Sequence, residues 1–128
     1  MKKLLLLLFS ILISFNSYGG WTEISQNSAG YTFYLDKDTI KKDASYVYWW
    51  EMNSSPKLDD FGHRSAQIYR QGDCGVFRDK PMSYVYFRQS MSKGEFDYIS
   101  TPEDPKWFFP LPGSVSEIIL NFVCDYVN

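Results

Sequence analysis

Histidine and cysteine are nearly missing from this sequence, which holds one His and two Cys in 128 residues. The one His, His63, follows Asp59 and Asp60 in "DDFGH". Catalytic zinc uses three protein ligands in a fixed geometry, and a Gly-containing loop offers no such spacing. His63 therefore reads as a solvated loop residue, and no metal is expected. The two Cys form no C-x-x-C pair, and there is no G-x-S-x-G, Gly-rich phosphate loop or Cys-His pairing. Asp36 and Asp38 form D-x-D without the further oxygen ligands and Gly of a calcium loop, so a helix cap is the better reading. Basic charge is also scarce. The formal net charge is −2, and it falls to −4 without Lys2 and Lys3, which speaks against general nucleic-acid binding and against a polybasic membrane patch. No enzyme and no cofactor are expected. Paired carboxylates meeting in space, such as Glu51 with Glu95 or Asp97, are the remaining route to acid–base chemistry.

Long apolar runs are equally rare. The one that exists, Leu4 to about Phe15, follows Lys2 and Lys3 and ends in small and polar residues. It is shorter than the roughly 20 residues that span a bilayer and has the form of a secretory signal peptide over 1–19, cut after Gly19. No Cys near the cut offers a site for lipid attachment, so no membrane anchor is expected after cleavage. The remaining residues, 20–128, make one domain of an exported protein, periplasmic, secreted or at the cell surface. In such a compartment Cys74 and Cys124 read as one disulfide, the alternatives being free thiols or a metal pair. It would close 50 residues and constrain the unfolded chain by roughly 4 kcal/mol.

What the chain has in excess is aromatic residues, 19% of the total. Strand patterns run from Trp21 to Ser28 and over "YTFYLD" at 31–36, with "NSAG" as the turn between them. Asp36 can cap a helical turn ending near Ile40. Further strands are expected at 45–53, 64–71, 82–91 and 95–100. "TPEDPKWFFPLPGS", 101–114, holds four prolines and reads as an ordered crossover pinned by Trp107 and Phe108. The period then changes. Val115, Ile118, Ile119, Phe122 and Val123 form one stripe of an amphipathic helix, and Ser114 with Glu117 has capping-box spacing. The fold class is therefore α+β: about six antiparallel strands with one C-terminal amphipathic helix packed on one face.

The strand "SYVYWWEM", 45–52, is aromatic on both faces. With Glu51 taken as pointing outward, Val47 and Trp49 line the less buried face, Trp49 becomes a partner-facing residue, and Tyr46, Tyr48, Trp50 and Met52 are core. The opposite assignment moves the interface to Tyr48 and Trp50.

Five segments in order resemble the surface-adhesin protein E family of Gram-negative bacteria: "WTEIS" after an exported start, "YTFYLDKDTIKK", "YVYWWEM", "YRQGDC", and "PGSVSEIILNFVCDY" with the second Cys. The resemblance covers nearly all of 20–128. It implies a small antiparallel sheet with a helix, a homodimer, and binding to host matrix and serum proteins, laminin and vitronectin among them. It places the binding stretch around the first Cys, about 64–78, with Arg64, Arg70 and Arg78 as cationic candidates and Tyr69 between them. Alternating Arg and Gln in that stretch also fits a solvated sheet face. The other function open to the sequence is a structural or stress-related periplasmic domain without a host partner.

Overall fold

A computed structural model describes residues 17–18 and 20–128. Most of the expected signal segment lies outside the described residues. The described residues form one eight-stranded antiparallel sheet and a C-terminal helix. The strands are β1 (Ser17–Tyr18), β2 (Trp21–Gln26), β3 (Thr32–Asp36), β4 (Lys41–Asp43), β5 (Tyr46–Ser54), β6 (Ser65–Asp73), β7 (Arg78–Phe87) and β8 (Phe96–Ser100), and the helix is α1 (Val115–Val127). The sheet order is β1-β2-β3-β5-β6-β7-β8, with β4 folded back onto β5. The α+β expectation holds, and two short strands join the six that were foreseen.

Local chemistry explains most boundaries. Asn27 turns β2 into β3 by accepting from the Ala29 and Tyr31 amides. Asp36 accepts from the Asp38 amide and caps a 3₁₀ turn over Lys37–Thr39, with Ile40 closing it. α1 begins with a variant of the capping box: Ser114 Oγ accepts from the Glu117 amide, and the Glu117 carboxylate accepts from the amide of Gly113, one residue before the cap. β7 starts at Arg78, four residues before the expected position, and runs through Pro81. Proline is tolerated there because a bulge falls beside it, with Tyr69 opposite Ser83 and Arg70 opposite Pro81, and because β8 pairs only with Tyr84–Phe87.

The core lies between α1 and one sheet face. It comprises Leu35, Ile40, Val47, Trp49, Ile119, Leu120, Val123 and Cys124. The face assignment of β5 is thus the reverse of the expected one. Val47, Trp49 and Glu51 point under the helix, while Tyr46, Tyr48 and Trp50 are half-buried on the other face. Trp49 is 0% exposed and cannot be a surface contact. Met52 is buried as expected, but beneath the 3₁₀ turn at Ser90–Ser92, where Ser92 Oγ–H points to its sulfur at 3.0 Å. The helix stripe is also rotated. Leu120 and Cys124 are buried beside Ile119 and Val123, whereas Ile118 is 42% exposed.

Gly72 sets the approach of helix to sheet. A Cβ placed there would sit 2.7 Å from Trp49 and 3.0 Å from Leu120 and Val47. Two residues further on, Cys74 is bonded to Cys124, with Cα atoms 5.8 Å apart. The expected disulfide is present.

Gly72→Ala is expected to overpack this contact and cost about 1–3 kcal/mol, read as a lowered thermal midpoint; an unchanged midpoint would contradict the tight approach. Cys124→Ala is expected to cost about 2–5 kcal/mol, and its midpoint should no longer respond to reductant.

Candidate functional site

The face turned away from α1 carries a continuous aromatic strip. Neighbouring strands place Tyr48, Trp50 and Tyr69 side by side, because Trp50 is opposite Tyr69 and Tyr48 is opposite Gln71 in the β5–β6 register. The Tyr69 ring lies 5.1 Å from Trp50 and 6.1 Å from Tyr48. Gln71 donates to the Tyr48 hydroxyl at 3.1 Å. Burial, with Asp43 nearby, raises the Tyr48 pKa above the ordinary phenol value. At the end of the strip Trp107 rests on Tyr46 at 5.6 Å. The Arg78 guanidinium and the Lys80 ammonium stand 4.3 Å and 4.4 Å from the Trp107 ring centre. A cation over an indole face is held by the ring quadrupole.

The proline-rich segment delivers Trp107 to this face. Beyond the end of β8 it lies along β7, where Asp79 and Phe108 exchange backbone hydrogen bonds of 3.0 Å and 2.7 Å. The segment is ordered as expected. Trp107 is the side chain that seats it, and Phe108 is held by its backbone while its ring stays 58% exposed.

Under the helix face lies a different environment. A cleft of about 510 Å³ opens between the β2–β3 turn and the start of α1, and its floor holds Glu51, Arg70 and Asp79. Arg70 Nε donates to Glu51 at 2.7 Å and Nη1 to Asp79 at 3.1 Å. The Trp49 indole N–H also donates to Glu51, at 3.0 Å. Burial works against the charge on Arg70, but Glu51 and Asp79 more than offset it and raise its pKa. Burial pushes the Asp79 carboxyl up to about 6, against the pull of Arg70.

A third cluster lies near β8. His63 Nε2 is 2.8 Å from Asp97, its Nδ1 is 4.0 Å from Asp59, and its ring stacks on Tyr86 at 5.2 Å. The hydrogen bond from His63, with a second from Arg88, holds the Asp97 carboxyl below its usual value. His63 is thus a packed residue with only 10% of its side chain exposed, not the solvated loop residue expected. Among the described residues no group of three or more His, Cys, Asp or Glu is arranged to hold a metal ion.

The profile of the surface-adhesin protein E family matches residues 21–125. The chain belongs to this family. Solved structures of Haemophilus influenzae protein E share the fold. One crystal form is 14% identical with a TM-score of 0.67 and covers 87% of this chain and 92% of that one. A selenomethionine form is 13% identical with a TM-score of 0.63, covering 84% and 88%. Protein E from a non-typeable strain is 12% identical with a TM-score of 0.58, covering 87% and 79%. No curated protein sequence matches the chain significantly.

This adhesin E chain does not gather its expected cationic candidates in one place. Arg70 is committed to the cleft floor and its side chain is only 19% exposed. Tyr69, the next residue back, belongs to the aromatic strip on the opposite face. Arg78 joins that strip through Trp107 and also donates to Asp73 at 3.1 Å. Arg64 precedes β6 and lines a small cavity with Ile68, Tyr84 and Tyr86. Asp73 turns out to organise the Cys74 turn. It accepts from the Gly75 and Val76 amides, and the Val76 bond, with help from Arg78, lowers its pKa against the opposing effect of burial. Sequence reasoning missed Trp107 and Lys80 as members of the strip and paired Glu51 with the wrong acids. The i, i+2 spacing of Arg78 and Lys80 on one strand face was the one available signal.

The Asp79 carboxyl has a consequence for stability. Its folded pKa of about 6 lies above the ordinary carboxyl value of 3.8, so the folded state holds a proton that the unfolded state has lost between those values. That contribution is complete below about pH 4 and disappears as pH rises through 6, a change of at most about 3 kcal/mol. Asp79→Asn is expected to flatten the stability profile between pH 5 and 7.5 in urea unfolding. An unchanged slope would rule out Asp79 as its source.

Proposed function

We propose that this adhesin E family member is an exported, non-enzymatic interaction module that binds other proteins through its aromatic strip. The observation that carries this reading is the row Trp50–Tyr69–Tyr48 with Trp107, Tyr46, Arg78 and Lys80 at its end. Tyr, Trp and Arg are the residues enriched where partners dock, because they bring large contact area with little conformational entropy to lose. Family membership makes the protein adhesin-like and exported. Among the described residues no helix is long and apolar enough to cross a membrane. The partners are extracellular proteins, host matrix or serum components such as laminin and vitronectin, and the place of action is the cell surface. Of the residues expected to bind, Tyr69 and Arg78 belong to this surface. Arg64 stands apart from it, and Arg70 supports the sheet from the other side.

The working form is a homodimer. β8 ends the sheet and carries Phe96, Tyr98 and Ile99 at 48–58% exposure. An apolar terminal strand of this kind invites pairing with a second copy.

Trp50→Ala with Tyr69→Ala is expected to weaken binding to immobilised laminin or vitronectin at least tenfold while the thermal midpoint stays above working temperature. Full binding by this variant would exclude the strip. Sedimentation should show a dimer that Tyr98→Lys with Ile99→Lys converts to monomer, and a wild-type monomer at all concentrations would sink the dimer.

A further inference from the structure

The cleft under α1 is a second site, independent of the aromatic strip. We propose that it binds an organic cation, namely a primary amine carried on an apolar chain.

The floor supplies the charge argument. Two carboxylates, Glu51 and Asp79, are 3% and 5% exposed and share one guanidinium. At neutral pH the trio therefore carries one negative charge in excess. The titratable groups acting on Asp79 are Glu51 on β5 and Arg70 on β6, and Tyr84 on β7 acts in turn on Arg70. The facing elements add no cation. Ser25 and Gln26 of β2 and Asn27 and Ser28 of the following turn are neutral, and Glu117 of α1 is spent on the Gly113 amide. An anion entering the cleft would meet excess negative charge and an arginine already engaged twice. A cation would find the charge balance it restores.

The walls supply the second half. Phe33, Val115, Ile118 and Ile119 line the cleft above the acids. An adjoining cavity of about 370 Å³ shares Arg70, Asp79, Ser114 and Ser116 with it and is walled by Phe108, Phe109 and Leu111. Phe109 and Leu111 are 63% and 74% exposed, so apolar surface continues to the rim. A charged floor beneath apolar walls fits an alkylammonium group with its chain pointing outward better than it fits a polyol. The volume lies in the range of small-molecule sites, about 300–1,000 Å³. The ligand is either a free alkylamine or the side chain of a lysine within an apolar peptide.

Titration of the purified exported protein, followed by NMR of the Trp49 indole N–H, tests the proposal, because that proton is donated to Glu51 in the floor. Hexylamine is expected to shift this signal saturably, while hexanol and hexanoate leave it in place. Ser116→Trp, at an exposed position on the cleft mouth, should abolish the shift without unfolding the protein, and Asp79→Asn should weaken it about tenfold. A capped Leu-Lys-Leu peptide that binds at least tenfold more tightly than hexylamine identifies a peptide lysine as the source. Equal or weaker peptide binding identifies a free amine. The proposal falls if hexylamine produces no saturable shift, if hexanol binds equally well, or if Ser116→Trp leaves binding intact. Binding to laminin or vitronectin is read separately, so failure here leaves the aromatic strip unaffected.

Discussion

The whole arrangement depends on one close approach, that of α1 to β6 at Gly72. The missing side chain makes a pit into which Leu120 descends, and Val47 and Trp49 close it from β5. Cys74 lies two residues along the strand on one side of the pit, and Cys124 lies one helical turn beyond Leu120 on the other. Packing and covalent link therefore act at the same place. Trp49 is held flat under the helix, and its indole N–H reaches Glu51. Glu51 holds Arg70, and Arg70 holds Asp79. A contact made for close packing thus adjoins the charged floor of the cleft, since Arg70 shares β6 with Gly72 and Asp79 is opposite Gly72 on β7.

The two faces of the sheet are specialised by the same alternation. Val47, Trp49 and Glu51 of β5 enter the core and the cleft, and Tyr46, Tyr48 and Trp50 join the aromatic strip. The strip needs no helix above it because Tyr69, Gln71 and Trp107 cover much of each ring while leaving edges and part of the faces to solvent. That half-buried state suits a docking surface: the rings are already fixed by their neighbours, so little order remains to be gained on binding.

Much of the fold was legible in the sequence because period and capping chemistry are local. Asp36, Asn27, Ser114 and Glu117 sit where their hydrogen bonds predict, and the strands between them alternate. The errors share a cause. In "YVYWWE" both faces are aromatic, so alternation gave no contrast between core and surface. Glu51 was the tie-breaker and pointed the wrong way, since the partners that allow its burial come from β6 and β7, far along the chain. Lys41–Asp43 is fully exposed and pairs only with β5, leaving no periodic trace. Pro81 hid the start of β7 because the bulge that accommodates it belongs to the pairing of two strands. The cleft was invisible for the same reason: its lining comes from five strands, the β2–β3 turn and the helix start.

The segment 101–114 reaches both faces of the sheet. It grips β7 as a strap, with the Trp107 ring clamped among Tyr46, Arg78 and Lys80 on one side of the sheet. On the other side Phe108, Phe109 and Leu111 wall the cavity that adjoins the cleft. Between them the backbone is tied to Asp79, whose side chain is part of the cleft floor. The strap is short and stiffened by Pro105, Pro110 and Pro112, so it has little slack. One short segment thus furnishes parts of two surfaces: Trp107 completes the strip, and Phe108, the next residue, walls the cavity beside the cleft.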